Sequence, residues 1–296
     1  MGKNFRKSRT MSFPPSGFLY FSFLVSFLFE TKTLLEEQSA LTADNPVELE
    51  MVTNYGTIIL RLSDETPLHR DNFIKLVEAG TYDSLLFHRV IREFMIQGGD
   101  IKSKYADSVA TLDSADLPYQ IPVELVPNLF HKKGALAAAR TNNPHRASSS
   151  TQFYIVQGKI QNDSLLTYNQ GRINKMLARH HGINDPINKP LADSIQAALA
   201  AKDTVKVQLL DNRLNSILDT YTHYETYTIH EEHRAIYKTI GGSPHLDQNY
   251  TVFGEVIQGL EVVDSIAAVE TGPRDRPIKE VRILSVRILP KNQSIK

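Results

Sequence analysis

The side chains that could do chemistry are unevenly spread along the 296 residues. There is no cysteine, which removes thiol nucleophiles, thiolate metal sites, disulfides and lipid attachment through a thiol together. Histidines gather in one stretch, as His180-His181, His223, His230 and His233. The run His230-Glu-Glu-His233 has the residue types of a zinc-protease helix. That site needs His-Glu-x-x-His, and the spacing here is one residue short. The run is read as an exposed amphipathic helix with polar pairs, and no metal is expected. No Gly-x-Ser-x-Gly elbow occurs, and Gly241-Gly242 lacks the lysine and hydroxyl of a phosphate-binding loop. Lysine plus arginine (33) balance aspartate plus glutamate (33), so electrostatics gives no ground for a nucleic-acid partner. No cofactor is expected either.

The elements that would position a site come in blocks. In residues 1–30, a basic flank (Lys3, Arg6, Lys7, Arg9) precedes an uncharged apolar run from Gly17 to Phe29. This is the layout of a signal peptide, too short to span a bilayer comfortably, which takes about 20 residues. Export to the periplasm or cell envelope is the natural reading. Glu30, Thr31 and Lys32 offer no small-x-small cleavage site, so a retained membrane anchor and a cytoplasmic protein stay open as alternatives. Residues 31–46 read as a linker. From Val47 the chain alternates (Val47, Leu49, Met51), turns at Asn54-Tyr55-Gly56 and continues to Leu62, which predicts a β-hairpin. Pro67 opens a short helix carrying Phe73, Leu76 and Val77, stopped by Gly80. Short apolar runs over 85–101, 121–125 and 134–157 suit a compact β domain. Residues 159–242 change texture, with helical spacings such as Leu165, Leu166, Ile173, Met176, Leu177 and Leu209, Leu210, Leu214, Ile217, Leu218. Strand-like sequence resumes over 243–296, with a short helix from Leu260 to Ala267.

Three blocks carry a resemblance. They are Phe87-His-Arg-Val-Ile-Arg-Glu-Phe-Met-Ile-Gln-Gly-Gly-Asp100; Gly134-Ala-Leu-Ala-Ala-Ala-Arg140 followed by Ser148–Thr151 and Gln152-Phe-Tyr-Ile155; and His245-Leu-Asp-Gln-Asn-Tyr-Thr-Val-Phe-Gly254. Over residues 47–157 and 243–290 the chain resembles the cyclophilin-type peptidyl-prolyl cis-trans isomerases, in the variant with Arg after Ala seen in bacterial members. The resemblance implies a mainly β fold, a closed eight-stranded antiparallel barrel capped by two helices. The barrel would be formed by residues 47–158 and 243–296, with 159–242 as an α-helical insertion of two to four helices near the groove. That insertion could widen the substrate surface, bind a protein partner or stabilise the barrel.

The resemblance also implies an activity and its residues. The bond before proline has partial double-bond character and a rotation barrier of about 18–20 kcal/mol. Lowering it needs no nucleophile, only a fixed donor near the prolyl nitrogen and a surface that holds the twisted peptide best. Arg89 matches the family's catalytic arginine, and its guanidinium keeps its charge at any working pH. Phe94, Met95, Tyr154 and Leu246 match the apolar seat for proline. Gln97 matches a residue that hydrogen-bonds the peptide, with Gln152 close by. Ala139 and Arg140 match a segment whose backbone pairs with the bound chain as an added strand. His245 stands where many members have a rim tryptophan, Tyr250 where many have histidine, and Tyr154 where phenylalanine is usual. Phe153, by alternation, should fill the core. The expected substrates are proline-containing unfolded proteins or peptides, with the function of assisting folding of exported proteins. The alternative is a proline-peptide-binding scaffold or chaperone module with little turnover.

Overall fold

The computed structural model of the protein describes residues 46–106, 112 and 115–290. The residues read from sequence as an export signal or anchor (1–30), and nearly all of those read as a linker (31–46), lie outside them. The hairpin forms as β1 (Glu48–Thr53) and β2 (Gly56–Leu62), joined through Asn54-Tyr55 with Thr53 opposite Gly56. Alternation turns Leu49 and Met51 of β1, and Ile58, Leu60 and Leu62 of β2, into the core. The chain then runs through β3 (Arg89–Ile91), β4 (Met95–Gly98), β5 (Gln120–Ile121), β6 (Ala135–Ala138), β7 (Ser148–Ser149), β8 (Phe153–Val156), β9 (Val252–Gln258) and β10 (Ile283–Ile288). Apart from a small β5–β7 pair, these join the hairpin in one eight-stranded sheet of order β10-β1-β2-β9-β6-β8-β4-β3, antiparallel throughout.

The two ends of that order are brought together by main-chain bonds. Phe87 N donates to Val281 O (2.9 Å), Ile283 N to Leu85 O (2.8 Å) and Ser84 N to Ile283 O (2.8 Å). A twisted antiparallel sheet closed in this way buries its inner face without exposing two long edges. Inside sit Phe73 of α1 (Pro67–Glu78) and Val263 and Ile266 of α6 (Leu260–Ala267), the two capping helices. Phe73 and Tyr82 both meet the ring of Phe153 edge-on at 5.5 Å. Phe153 thus fills the core, as alternation requires.

Residues 159–242 contain four helices: α2 (Asp163–Asn184), α3 (Lys189–Ala200), α4 (Thr204–Leu218) and α5 (Glu231–Thr239). The Asn162 side chain caps α2 by accepting from Leu165 N, and Asp203 caps α4 through Lys206 N. Leu166, Ile173 and Leu177 of α2 pack with Tyr237 of α5 and with Phe130 of the chain leading to β6. Helices α3 and α4 form a separate small cluster of Ile195, Leu214 and Leu218. The two ends of the stretch meet tightly. A Cβ on Gly158 would collide with the backbone of Gly242, whose own φ is +151°, so the doublet Gly241-Gly242 is a requirement of that crossing.

The run His230–His233 departs from the expectation of an exposed helix. His233 is buried and stacks on Phe130 with ring centroids 3.8 Å apart. Burial holds its pKa below the usual imidazole value, so it behaves as an aromatic packing residue. Among the described residues no group of three or more His, Asp or Glu side chains is arranged to hold a metal, and no helix is long and apolar enough to cross a membrane.

Candidate active site

Strand register assembles the site. Arg89 on β3 lies opposite Gln97 on β4, Gln97 opposite Tyr154 on β8, and Tyr154 opposite Ala137 on β6. One cross-strand row therefore carries a cation, an amide, a phenol and a methyl group side by side, facing away from the core that takes Ile96, Phe153 and Ile155. The next row along carries Ile91, Met95 and Val156. Met95, Ala135, Ala137, Tyr154, Leu246 and Val252 form a second apolar cluster on this face, with Phe94 and Tyr250 packed against it. A recess opens among the larger of these side chains.

That recess is a groove of about 200 Å³, and its lining includes Arg89, Phe94, Met95, Gln97, Ala139, Arg140, Gln152, Tyr154, Leu246 and Tyr250. The structure thus brings together ten of the eleven residues singled out from the sequence. The eleventh, His245, lies just outside. Its ring lies tilted against Phe94 with centroids 5.4 Å apart, and it faces a neighbouring recess. Asp116, Gln120, Thr141 and Ser149 complete the lining; none was singled out from the sequence, although Ser149 falls within the Ser148–Thr151 block.

The polar side of the groove is a directed chain of amides. Gln152 Nε2 donates to Ala115 O (3.3 Å), Gln97 Nε2 donates to Gln152 Oε1 (3.0 Å), and Arg89 Nη1 donates to Gln97 Oε1 (3.5 Å). Each bond orients the next, so the Gln97 carbonyl is turned toward the guanidinium. On its other side Arg89 Nε reaches Asp275 Oδ2 at 3.3 Å. The guanidinium is held at two points, and 36 % of the side chain stays exposed to the groove. Asp275 is a partner that sequence reading missed, since 186 residues separate the two.

Ala139 lines the groove with its backbone already paired. Its N–H is engaged with Gln152 O (3.0 Å) and its C=O accepts from Ser149 N (2.8 Å). The side chain of Arg140 is fixed by Asn249 O (3.2 Å) and lies 4.6 Å over the Tyr250 ring.

Beneath the groove floor runs a buried polar line. Tyr154 Oη meets His131 Nε2 (2.9 Å), His131 Nδ1 meets Asp247 Oδ1 (2.8 Å), and Tyr237 Oη donates to Asp247 Oδ2 (2.7 Å). Nδ1 faces a carboxylate, which accepts, so Nδ1 carries the proton and Nε2 accepts from Tyr154. Burial raises both phenols well above their usual pKa, so both stay protonated and donate. Tyr237 belongs to α5, which ties the groove floor to the helical stretch.

Imidazole burial sets a pH dependence. Burial first, then Arg172 and His131, push His245 down to about 4; burial, then Arg146 and His181, do the same to His180. The unfolded chain takes these protons near pH 6.5 and the folded one only near 4. Their stabilisation is complete above pH 6.5 and is lost as pH falls toward 4. Urea unfolding is expected to show a loss on the order of 1–2 kcal/mol between about pH 7.5 and 5 from His245 alone. An unchanged midpoint would contradict the burial of these rings.

A model of the family described as Cyclophilin type peptidyl-prolyl cis-trans isomerase/CLD matches residues 48–176 and 232–288. The chain belongs to that family. Its family activity is peptidyl-prolyl cis-trans isomerisation, and the match leaves out 177–231, which covers part of α2, all of α3 and α4, and the chain leading into α5. Relatives named as peptidyl-prolyl cis-trans isomerases include one from Staphylococcus saprophyticus, 29 % identical over 248 residues that cover 83 % of this chain and 93 % of that protein. A Streptococcus pyogenes relative, named as a bifunctional phosphatase and peptidyl-prolyl cis-trans isomerase, is 28 % identical over 80 % of this chain and 37 % of its own length. A solved cyclophilin type isomerase of Cryptosporidium parvum aligns over 83 % of this chain and 98 % of its own, with 17 % identity and a TM-score of 0.48.

Proposed function

We propose that this cyclophilin isomerises X-Pro bonds in unfolded, exported proteins, with Arg89 as the catalytic group. The observation that supports it most is the placement of one guanidinium, steered by Gln97 and Asp275, on the rim of an apolar recess lined by Phe94, Met95, Tyr154 and Leu246. The pyrrolidine ring of a substrate would sit in that recess, surrounded by aromatic and thioether surface. A guanidinium N–H near the prolyl nitrogen withdraws its lone pair from amide resonance, and this interaction grows as the bond twists, so the barrier falls more than binding strengthens. No bond to the enzyme forms.

The export part of the proposal rests on the basic flank and apolar run of residues 3–29. It places the clients among proline-containing proteins crossing to the periplasm or cell envelope. Two measurements test the whole. One is the refolding of a protein whose slow phase is proline isomerisation, which takes 10–100 s uncatalysed and should accelerate with sub-stoichiometric enzyme. The other is the cell fraction and N-terminal residue of the full-length chain expressed in its host. Unaltered refolding sinks the enzyme reading; a cytosolic product still beginning at Met1 sinks the export reading.

Cyclosporin A is expected to inhibit this chain more weakly than a member with tryptophan at the rim, because His245 gives less apolar area there and is committed to Phe94. Equal inhibition in the peptide assay would show that rim to be built differently.

A further inference from the structure

Next to the groove lies a recess of about 280 Å³ that exists because α2 stands against the barrel. Leu165, Tyr168, Asn169 and Arg172 of α2 form one wall; Glu93, Lys159 and Gln161 belong to the other. Phe94 lines both the groove and this recess. The turn Pro244–Leu246 divides them, with Leu246 facing the groove while Pro244 and His245 face the recess. Phe94 and His245, tilted against each other with ring centroids 5.4 Å apart, thus stand between the two hollows.

The chemistry of the second hollow differs from that of the first. Tyr168 is 66 % exposed and offers a free ring face. Gln161, Asn169 and Ser243 provide amide and hydroxyl groups. Lys159 approaches Glu93 at 3.9 Å, but no carboxylate of the described residues lies within ion-pair distance of Arg172. Arg172 is exposed on the recess wall, and its charge acts on His245. An uncompensated guanidinium beside polar groups and an aromatic face suits an extended polypeptide carrying a carboxylate.

Resting on the isomerase reading of the groove, we propose that this recess is an extension of the substrate site. It takes the stretch of unfolded chain that flanks the proline and crosses Phe94 and His245, with a preference for Asp or Glu against Arg172. The helical stretch then widens the substrate surface, and short peptides use only part of the site.

The test compares a neutral proline tetrapeptide with peptides extended by four residues on either side, carrying Glu, Gln or Lys in the extension. Turnover of the tetrapeptide examines the isomerase reading by itself. Anisotropy of the labelled extended peptides reads the recess whether or not turnover occurs. In one of the two extension series, Glu peptides are expected to bind about threefold to tenfold more tightly than Lys peptides, with the Gln peptides between them. Arg172→Glu, with folding checked by thermal melting, should invert that ranking. Equal affinity of all extended peptides, or a ranking unchanged by Arg172→Glu, would overturn the proposal.

Discussion

Replacing Arg89 with alanine is expected to lower kcat/KM for a proline tetrapeptide by about 10²- to 10³-fold, the effect of removing one preorganised donor from a charge-developing site. Peptide affinity should change little, because Phe94, Met95, Tyr154 and Leu246 still form the seat. The loss therefore falls on kcat, as for an interaction made mainly in the transition state. Folding should be nearly unaffected. The pair with Asp275 is half-exposed, at 36 % and 46 %, and such pairs contribute about 0–1 kcal/mol. Arg89→Lys separates charge from geometry. Lysine keeps the charge but cannot address Gln97, Asp275 and substrate from one rigid fork, so it should recover only part of the rate. An alanine variant with full turnover would remove Arg89 from the chemistry and leave the groove as a peptide-binding surface.

The parts of this site that could be read from sequence are those built by short-range rules. Alternation along Met95–Gly98 and Phe153–Val156 assigns Met95, Gln97 and Tyr154 to one face and Ile96, Phe153 and Ile155 to the other. The helical spacing of Leu166, Ile173 and Leu177 marks the buried stripe of α2. Illegible were contacts between elements distant in the chain. Nothing near Arg89 announces Asp275, and nothing near Tyr154 announces Tyr237, since loop and helix docking alone bring them together. His245 and Leu246 are consecutive, yet the tight turn aims them into different hollows; strand alternation offers no guide in a turn. His233 was misread because imidazole counts as polar in any periodicity argument, while its ring packs flat on Phe130.

Asp247→Ala is expected to be the most destabilising single change near the groove. The carboxylate is 3 % exposed and accepts from His131 N (2.9 Å), His131 Nδ1 and Tyr237 Oη. Truncation leaves three buried donors without their acceptor. Removing one partner of such a buried pair costs about 3–5 kcal/mol, a large share of a total stability of about 5–15 kcal/mol. In a protein of this size that corresponds to a fall in Tm on the order of 10 °C. The consequences extend beyond stability, because the same carboxylate fixes the tautomer that receives the Tyr154 hydroxyl. Freed of Asp247, the imidazole can turn, and Tyr154 loses its anchor beneath the groove. Turnover should then fall even at temperatures where the variant remains folded. A double-mutant cycle of Tyr154→Phe and Tyr237→Phe measures the connection directly. Each single change removes one hydroxyl, at about 0.5–1.5 kcal/mol, and a coupling above about 0.5 kcal/mol between them would mean that α5 stabilises the groove floor through the buried line. Strict additivity, together with an Asp247→Ala variant that melts within a few degrees of the parent, would mean that α5 and the barrel are held by the apolar contacts of Phe130 alone.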